Sequence, residues 1–266
     1  MPKVKVNDIR IHYEVHGEGF PLIMIAGLGA NVDWWDPRWI QAFSEAFKTV
    51  AFDNRGAGRT DISNKEYSIR LFADDTAGLM NALGISRAHA LGISMGGMIA
   101  QELVLNYPEK VEKLVLCSTS CGGAKSVWLS QEVLGTLTTD RSALSPEEIA
   151  RIMIPLFVSQ DFLNNNPELA EYAIQQMVKA PISNEAYMRQ LNAMMSFDTY
   201  DRLSEIKAPT LILQGKGDVL IPPENASILD KAIPNAKLVY FENSAHGLLE
   251  ETETVLPTVL DFLSES

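Results

Sequence analysis

The residues Gly92-Ile93-Ser94-Met95-Gly96-Gly97 follow a continuous apolar run and open a helical pattern that continues from Met98 through Leu105. A serine between glycines at a strand-to-helix junction sits at the apex of a tight turn. The glycines remove the Cβ atoms that would collide there, and the hydroxyl is left exposed. The helix N-terminus directly behind it favours developing negative charge. That is how a nucleophile is presented. A serine hydroxyl attacks poorly at neutral pH unless a base takes its proton, so a histidine must lie near it in space.

Four histidines are available. His12 falls in an alternating N-terminal segment, His16 in the turn before Gly17, and His89 at the far end of the run that leads to Ser94. His246 follows the last buried run by the short loop Glu242-Asn243-Ser244-Ala245 and precedes Gly247. Ligands meet open α/β sheets at the C-terminal ends of strands. His246 is therefore the expected base, and the other three are expected to be structural or superficial. The base needs an acid to fix its tautomer and stabilise the imidazolium. Asp218, in Gly215-Lys216-Gly217-Asp218, lies just past the apolar run 210–213 and on the same edge. The chain order Ser94, Asp218, His246 is that of a nucleophile-elbow arrangement.

Elements of a particular kind must carry these residues. Val4 and Val6 alternate with lysines, and Ile9, Ile11, Tyr13 and Val15 alternate with Arg10, His12 and Glu14. Both segments read as half-exposed antiparallel strands, with Asn7-Asp8 as the hairpin turn. Residues 21–25 are apolar throughout and end in Ala26-Gly27-Leu28-Gly29, which suits a strand buried in a parallel sheet. Similar runs recur at 49–52, 88–93, 114–116, 210–213 and 237–241. Helical periodicity falls near 35–46, 68–83, 96–106, 223–232 and 252–264. Alternating strand and helix predicts an α/β fold, a mostly parallel sheet flanked by helices on both faces.

From about 122 to 204 there is no buried-strand signal, only helical periodicity cut by Pro146, Pro155, Pro167 and Pro181. Ser145-Pro146-Glu147-Glu148 and Asn166-Pro167-Glu168 read as helix starts. Connections in compact α/β units are far shorter. The expectation is a helical cap, 122–204, inserted into a core made of 1–121 and 205–266 and lying over the C-terminal edge of the sheet.

Composition narrows the function classes. The 266 residues are 46% hydrophobic and 21% charged, ordinary for a globular domain, and the net charge of −12 argues against a polyanionic partner. No window approaches the ~18 consecutive apolar residues of a membrane span. The charges alternating through Lys3, Lys5 and Asp8 deny the N-terminus the apolar centre of a signal peptide, so the cytoplasm is the expected compartment. Cys117 and Cys121 are expected as two buried or half-buried thiols, and they cannot build a zinc site without nearby ligands.

With these motifs the chain resembles the α/β-hydrolase superfamily, in its branch of capped esterases, enol-lactonases, haloperoxidases and proline-iminopeptidase-like enzymes. The resemblance spans nearly the whole chain. It rests on Ala26-Gly27-Leu28-Gly29, Asp53-Asn54-Arg55-Gly56-Ala57-Gly58-Arg59-Thr60, Gly92-Ile93-Ser94-Met95-Gly96-Gly97, Gly217-Asp218 and Ala245-His246-Gly247. It implies an oxyanion hole made of the backbone N–H groups of Leu28 and Met95, each stabilising a developing charge by about 3 kcal/mol. Ala26 departs from the family's usual histidine, whose imidazole supports that loop and does not react, so the departure bears on loop rigidity. Thr60 stands where the family has serine, and Asp53 and Arg55 are expected to brace a loop beside the site.

The expected activity is that of a serine hydrolase on small to medium carboxylic esters. Ser94 attacks, His246 takes the proton, Asp218 orients His246, and water releases the acid from an acyl-enzyme, with no metal or organic cofactor. Leu28, Met95 and Val219 are the expected pocket residues. Met95, Met98, Met153, Met177, Met188, Met194 and Met195 include several expected in a pliable cap–sheet gap. Trp34, Trp35 and Trp39 are expected in the core or against the cap. The same triad would serve an enol-lactone, an aminoacyl amide, a carbon–carbon bond flanked by carbonyls, or peracid formation. An aminopeptidase would need carboxylates in the cap, and Glu132, Glu147, Glu148 and Glu171 read as solvated faces. A ligand receptor on the same fold is the reading from another class. The expected partner is a small-molecule ester or lactone, not nucleic acid, with a homodimer left open.

Overall fold

The computed structural model describes residues 2–265, so Met1 and Ser266, at the ends of the expected core ranges, lie outside it. Eight strands form one sheet: β1 (Lys3–Val6), β2 (Ile9–His16), β3 (Pro21–Ile25), β4 (Lys48–Phe52), β5 (Ala88–Ile93), β6 (Val111–Cys117), β7 (Thr210–Gly215) and β8 (Ala236–Phe241). Their spatial order is β1-β2-β4-β3-β5-β6-β7-β8. The first two strands are antiparallel, joined by a turn in which Asn7 takes φ 51°, and β2 meets β4 antiparallel. Every remaining pair is parallel.

Strands β3 to β7 are buried on both faces because helices cover both, whereas β8, expected as a buried run, is mostly half-buried because it lies at the edge of the sheet. In β3, Leu22 and Met24 point to one face, where they meet Trp39 and Phe43 of α1 (Pro37–Ser44) and Val255 and Val259 of α10 (Thr252–Ser264). Ile23 and Ile25 point to the other. They share a core with α2 (Ile69–Ala82), α3 (Met95–Asn106) and α9 (Glu224–Ala232), through Phe72, Ile99 and Leu229. Each such side chain contributes roughly 1.5–3 kcal/mol by leaving water.

Between β6 and β7 the chain forms five helices: α4 (Gln131–Leu137), α5 (Pro146–Met153), α6 (Gln160–Asn165), α7 (Pro167–Met177) and α8 (Asn184–Met195). Serines start four of them. Ser130, Ser145, Ser159 and Ser183 each accept a backbone N–H three residues on, and Glu148 reaches back to Ser145 to complete a capping box. These helices have their own small core, including Leu137, Ala150, Met153, Ile174 and Met177, which also takes in Leu220 from the loop after β7. The segment is pinched at its base. Gly123 N–H donates to Phe197 O at 2.8 Å and Thr199 N–H to Cys121 O at 2.9 Å. Cys117 and Cys121 are buried free thiols, and burial pushes Cys117 up to about 12. Among the described residues no helix is long and apolar enough to cross a membrane.

Candidate active site

Ser94 follows β5 and precedes α3 with φ 58° and ψ −122°. A non-glycine residue held there costs on the order of 1–3 kcal/mol, and four hydrogen bonds hold it. Its N–H donates to Cys117 O at 2.9 Å. Its carbonyl accepts from Gly97 N–H at 2.9 Å, Met98 N–H at 3.3 Å and the Thr119 hydroxyl at 2.7 Å. The flanking glycines have steric causes. A Cβ on Gly92 would lie 2.2 Å from Gly96 O, and one on Gly96 would lie 2.0 Å from Ile25 O.

His246 follows β8 and is almost wholly buried. Its Nδ1 lies 2.8 Å from Asp218 Oδ2, which leaves Nε2 as the free ring nitrogen. Phe157 stacks on the ring with centroids 6.2 Å apart, and Gly247 N–H donates to Phe157 O at 2.7 Å. Asp218 is fully committed. Oδ1 accepts the N–H groups of Leu220 and Ile221, each at 2.9 Å, and Oδ2 accepts Gln214 Nε2 at 3.0 Å as well as the imidazole. This turn fixes the carboxylate and faces the ring nitrogen that must carry a proton.

Gly27-Leu28-Gly29, after β3, packs beside the serine. A Cβ on Gly27 would touch Ser94 Cβ at 3.2 Å and Oγ at 3.7 Å. The N–H of Met95, first residue of α3, has no partner within the helix. Among the described residues neither it nor the N–H of Leu28 donates to another protein group. Both donors are free, one in the residue after Ser94 and one in the residue after Gly27, which packs against it. The loop is braced by polar neighbours: Asn54 Nδ2 donates to Ala26 O at 2.9 Å, and Gly29 N–H donates to Gln190 Oε1 at 2.8 Å.

Ser94 and His246 open onto one cavity of about 630 Å³ between the sheet edge and the five helices. Its walls are largely apolar: Leu28, Trp34, Ile93, Leu137, Phe157, Val158, Met177, Met194, Leu220 and Ile221 among others. The charged residues in the wall are Asp33, Asp36 and Arg38. Asp33 is paired with Arg59 at 2.6 Å, and Asp36 with Arg38 at 2.6 Å. Among the described residues no cluster of His, Cys, Asp and Glu could hold a metal ion.

A family model described as alpha/beta hydrolase fold matches residues 21–253. The chain belongs to the α/β-hydrolase family. The poly(3-hydroxyalkanoate) depolymerase of Ectopseudomonas oleovorans is 32% identical over 92% of this chain and 84% of its own. The 2-hydroxy-6-oxo-6-phenylhexa-2,4-dienoate hydrolase of Comamonas testosteroni is 31% identical over 98% of this chain and 93% of its own. The crystal structure of the enol-lactonase from Burkholderia xenovorans LB400 matches with a TM-score of 0.87 at 26% identity, covering 99% of this chain and 100% of that one. Relatives of this hydrolase thus include a depolymerase, a dienoate hydrolase and an enol-lactonase.

Other expected residues fall as follows in this α/β-hydrolase. Leu28 lines the cavity. The side chain of Met95 does not: it is fully buried in the core shared with α2 and α3, so only its backbone faces the serine. Val219 is 46% exposed and lies outside the wall. The cause is the turn at Asp218, which draws in the N–H groups of residues 220 and 221 and makes Leu220 and Ile221 the lining residues. Trp34, Trp35 and Trp39 all border the cavity, as do Met153, Met177 and Met194, whereas Met98, Met188 and Met195 do not.

The other histidines sit elsewhere. Buried His12 bonds Asp53, which also accepts the N–H groups of Val32 and Arg59; burial pushes the Asp53 carboxyl up. Buried Arg55 pairs with Asp75 at 2.7 Å and Asp8 at 2.9 Å. His89 packs against Phe20 and Phe47 at the opposite end of β5, and burial depresses it to about 4. Gln214, Phe157 and Gln190 had no signal in the sequence. A lone glutamine or phenylalanine has no spacing to read.

Proposed function

We propose that this protein is a serine hydrolase of neutral, apolar carboxylic esters. The observation that carries the reading is the serine at the elbow sharing one apolar cavity with an imidazole whose other nitrogen is bonded to a buried carboxylate. Ser94 Oγ attacks the ester carbonyl as His246 Nε2 takes its proton. Asp218 keeps the proton of His246 on Nδ1 and stabilises the imidazolium. The N–H groups of Leu28 and Met95 receive the oxyanion. His246 then protonates the leaving alcohol, and the acyl-enzyme on Ser94 is hydrolysed by a water that His246 deprotonates.

Substrate polarity follows from the wall. Its charged side chains are already paired, Asp36 with Arg38 in the wall and Asp33 with Arg59 outside it, which offers an anionic or cationic substrate no free counter-charge. Glu147 and Glu171 of the helical segment pair with Arg151 on the exposed surface, away from the cavity, which disfavours an enzyme that grips a peptide amine. The helices of 122–204 act as a cap that shapes the acyl site. The test is steady-state turnover of p-nitrophenyl esters from acetate to decanoate, with the hemisuccinate as the charged comparison, by wild type and Ser94→Ala. A neutral-ester preference lost in the variant is expected. Equal turnover by both, or preference for charged acyl groups, would overturn the reading.

A further inference from the structure

We propose that Gln190, on helix α8, is a positioning residue for the oxyanion hole: it locks the loop that carries the Leu28 N–H and so makes catalysis depend on the seating of the helical segment. The inference rests on the proposed serine-hydrolase reading.

Gln190 is wholly buried, and both ends of its amide are used across long stretches of chain. Oε1 accepts Gly29 N–H at 2.8 Å, and Nε2 donates to Arg55 O at 2.9 Å. Only one orientation of the amide satisfies a donor on one side and an acceptor on the other. Three consecutive peptide units of the loop are thereby pinned. Asn54 holds the carbonyl of the 26–27 unit, Ala30 N–H donates to the carbonyl of the 27–28 unit at 3.3 Å, and Gln190 holds the N–H of the 28–29 unit. The middle unit bears the Leu28 N–H.

Gly29 has φ +72°, so the loop turns sharply at the point that Gln190 grips, and the Tyr187 ring closes over it, 3.2 Å from where a Cβ would be. Arg55, the other anchor, is held by Asp75 and Asp8. A rigid chain of contacts thus runs from the core turn through α8 to the donor beside Ser94. A donor worth 10²–10³ in kcat when removed outright must be aimed within a few tenths of an ångström.

The test compares wild type, Gln190→Met and Gln190→Glu on one neutral ester and on an alkyl boronic acid, whose tetrahedral adduct on serine places an oxygen in the oxyanion site. Gln190→Met keeps the volume without either bond. Its kcat is expected to fall by roughly 10–100-fold, part of the loss for a deleted donor, with KM within about threefold. Boronate affinity should fall by the same factor as kcat/KM. Gln190→Glu retains an acceptor for Gly29 N–H and should recover most of the loss while its carboxyl is protonated and can donate to Arg55 O. Should Gln190→Met not fold, Gln190→Glu alone decides: as its carboxyl ionises, kcat and boronate affinity must fall together relative to wild type at each pH. Unchanged kcat in Gln190→Met, or a fall in kcat with boronate affinity intact, overturns the proposal. Wild-type turnover in Ser94→Ala would instead overturn the underlying reading.

Discussion

Replacing Asp218 by asparagine should cost about 10⁴ in kcat while leaving the fold in place. Oδ1 of Asp218 accepts two backbone N–H groups, so the amide oxygen of an asparagine must take that position. The NH₂ group then occupies the Oδ2 site, where it faces His246 Nδ1 and Gln214 Nε2. The imidazole answers by moving its proton to Nε2, which can then no longer accept the serine proton that the proposed reaction transfers. A loss of 10⁴ corresponds to about 5.4 kcal/mol of barrier. Stability should fall as well, because the new NH₂ faces Gln214 Nε2, which cannot turn away: it also donates to Gly215 O at 3.1 Å and Ile221 O at 3.3 Å. Turnover of p-nitrophenyl butyrate with a thermal melt on the same sample measures both. A folded Asp218→Asn variant within tenfold of wild-type kcat would refute the tautomer argument.

Three further outcomes are expected. Ala173→Phe, placed in the cavity wall on α7, should lower kcat/KM for octanoyl esters more than tenfold while leaving acetyl esters within threefold, read from a chain-length series. His89 is held neutral in the fold at about 4 against 6.5 when unfolded. The unfolded chain therefore binds the extra proton between those values, and stability is lost as pH falls through that window, by up to about 3 kcal/mol. Denaturation midpoints from pH 7 to 4 should show this slope, and His89→Phe should flatten it. Cys117 is fully buried with its thiol pushed up to about 12, and Cys121 is buried and also raised. A thiol reagent should count no cysteine in the native protein and two after unfolding.

The sheet was legible because two-sided burial leaves continuous apolar runs, and residues 21–25 and 210–213 could be nothing else once glycine turns followed them. The elbow at Ser94 was legible because steric collision at Gly92 and Gly96 forces a local signature. What escaped was set by tertiary direction. Val219 and Leu220 are neighbours in sequence, yet a single turn around Asp218 sends one to solvent and the other into the cavity. The three tryptophans border the cavity because the 3-10 turn Val32–Trp34 and α1 form one of its walls, which their clustering could not reveal. Gln190 and Gln214 act through partners more than a hundred residues away or through a folded turn, and no local pattern marks them.

The proposed reaction requires an acyl group on Ser94. Intact-protein mass after brief exposure to a fluorophosphonate, followed by peptide mapping, reads whether that hydroxyl is the nucleophile. One adduct per chain on Ser94 is expected, with ester turnover lost in step with labelling, and neither adduct nor turnover in Ser94→Ala. Ester hydrolysis that persists after complete labelling, or an adduct carried by another residue, would contradict that reaction.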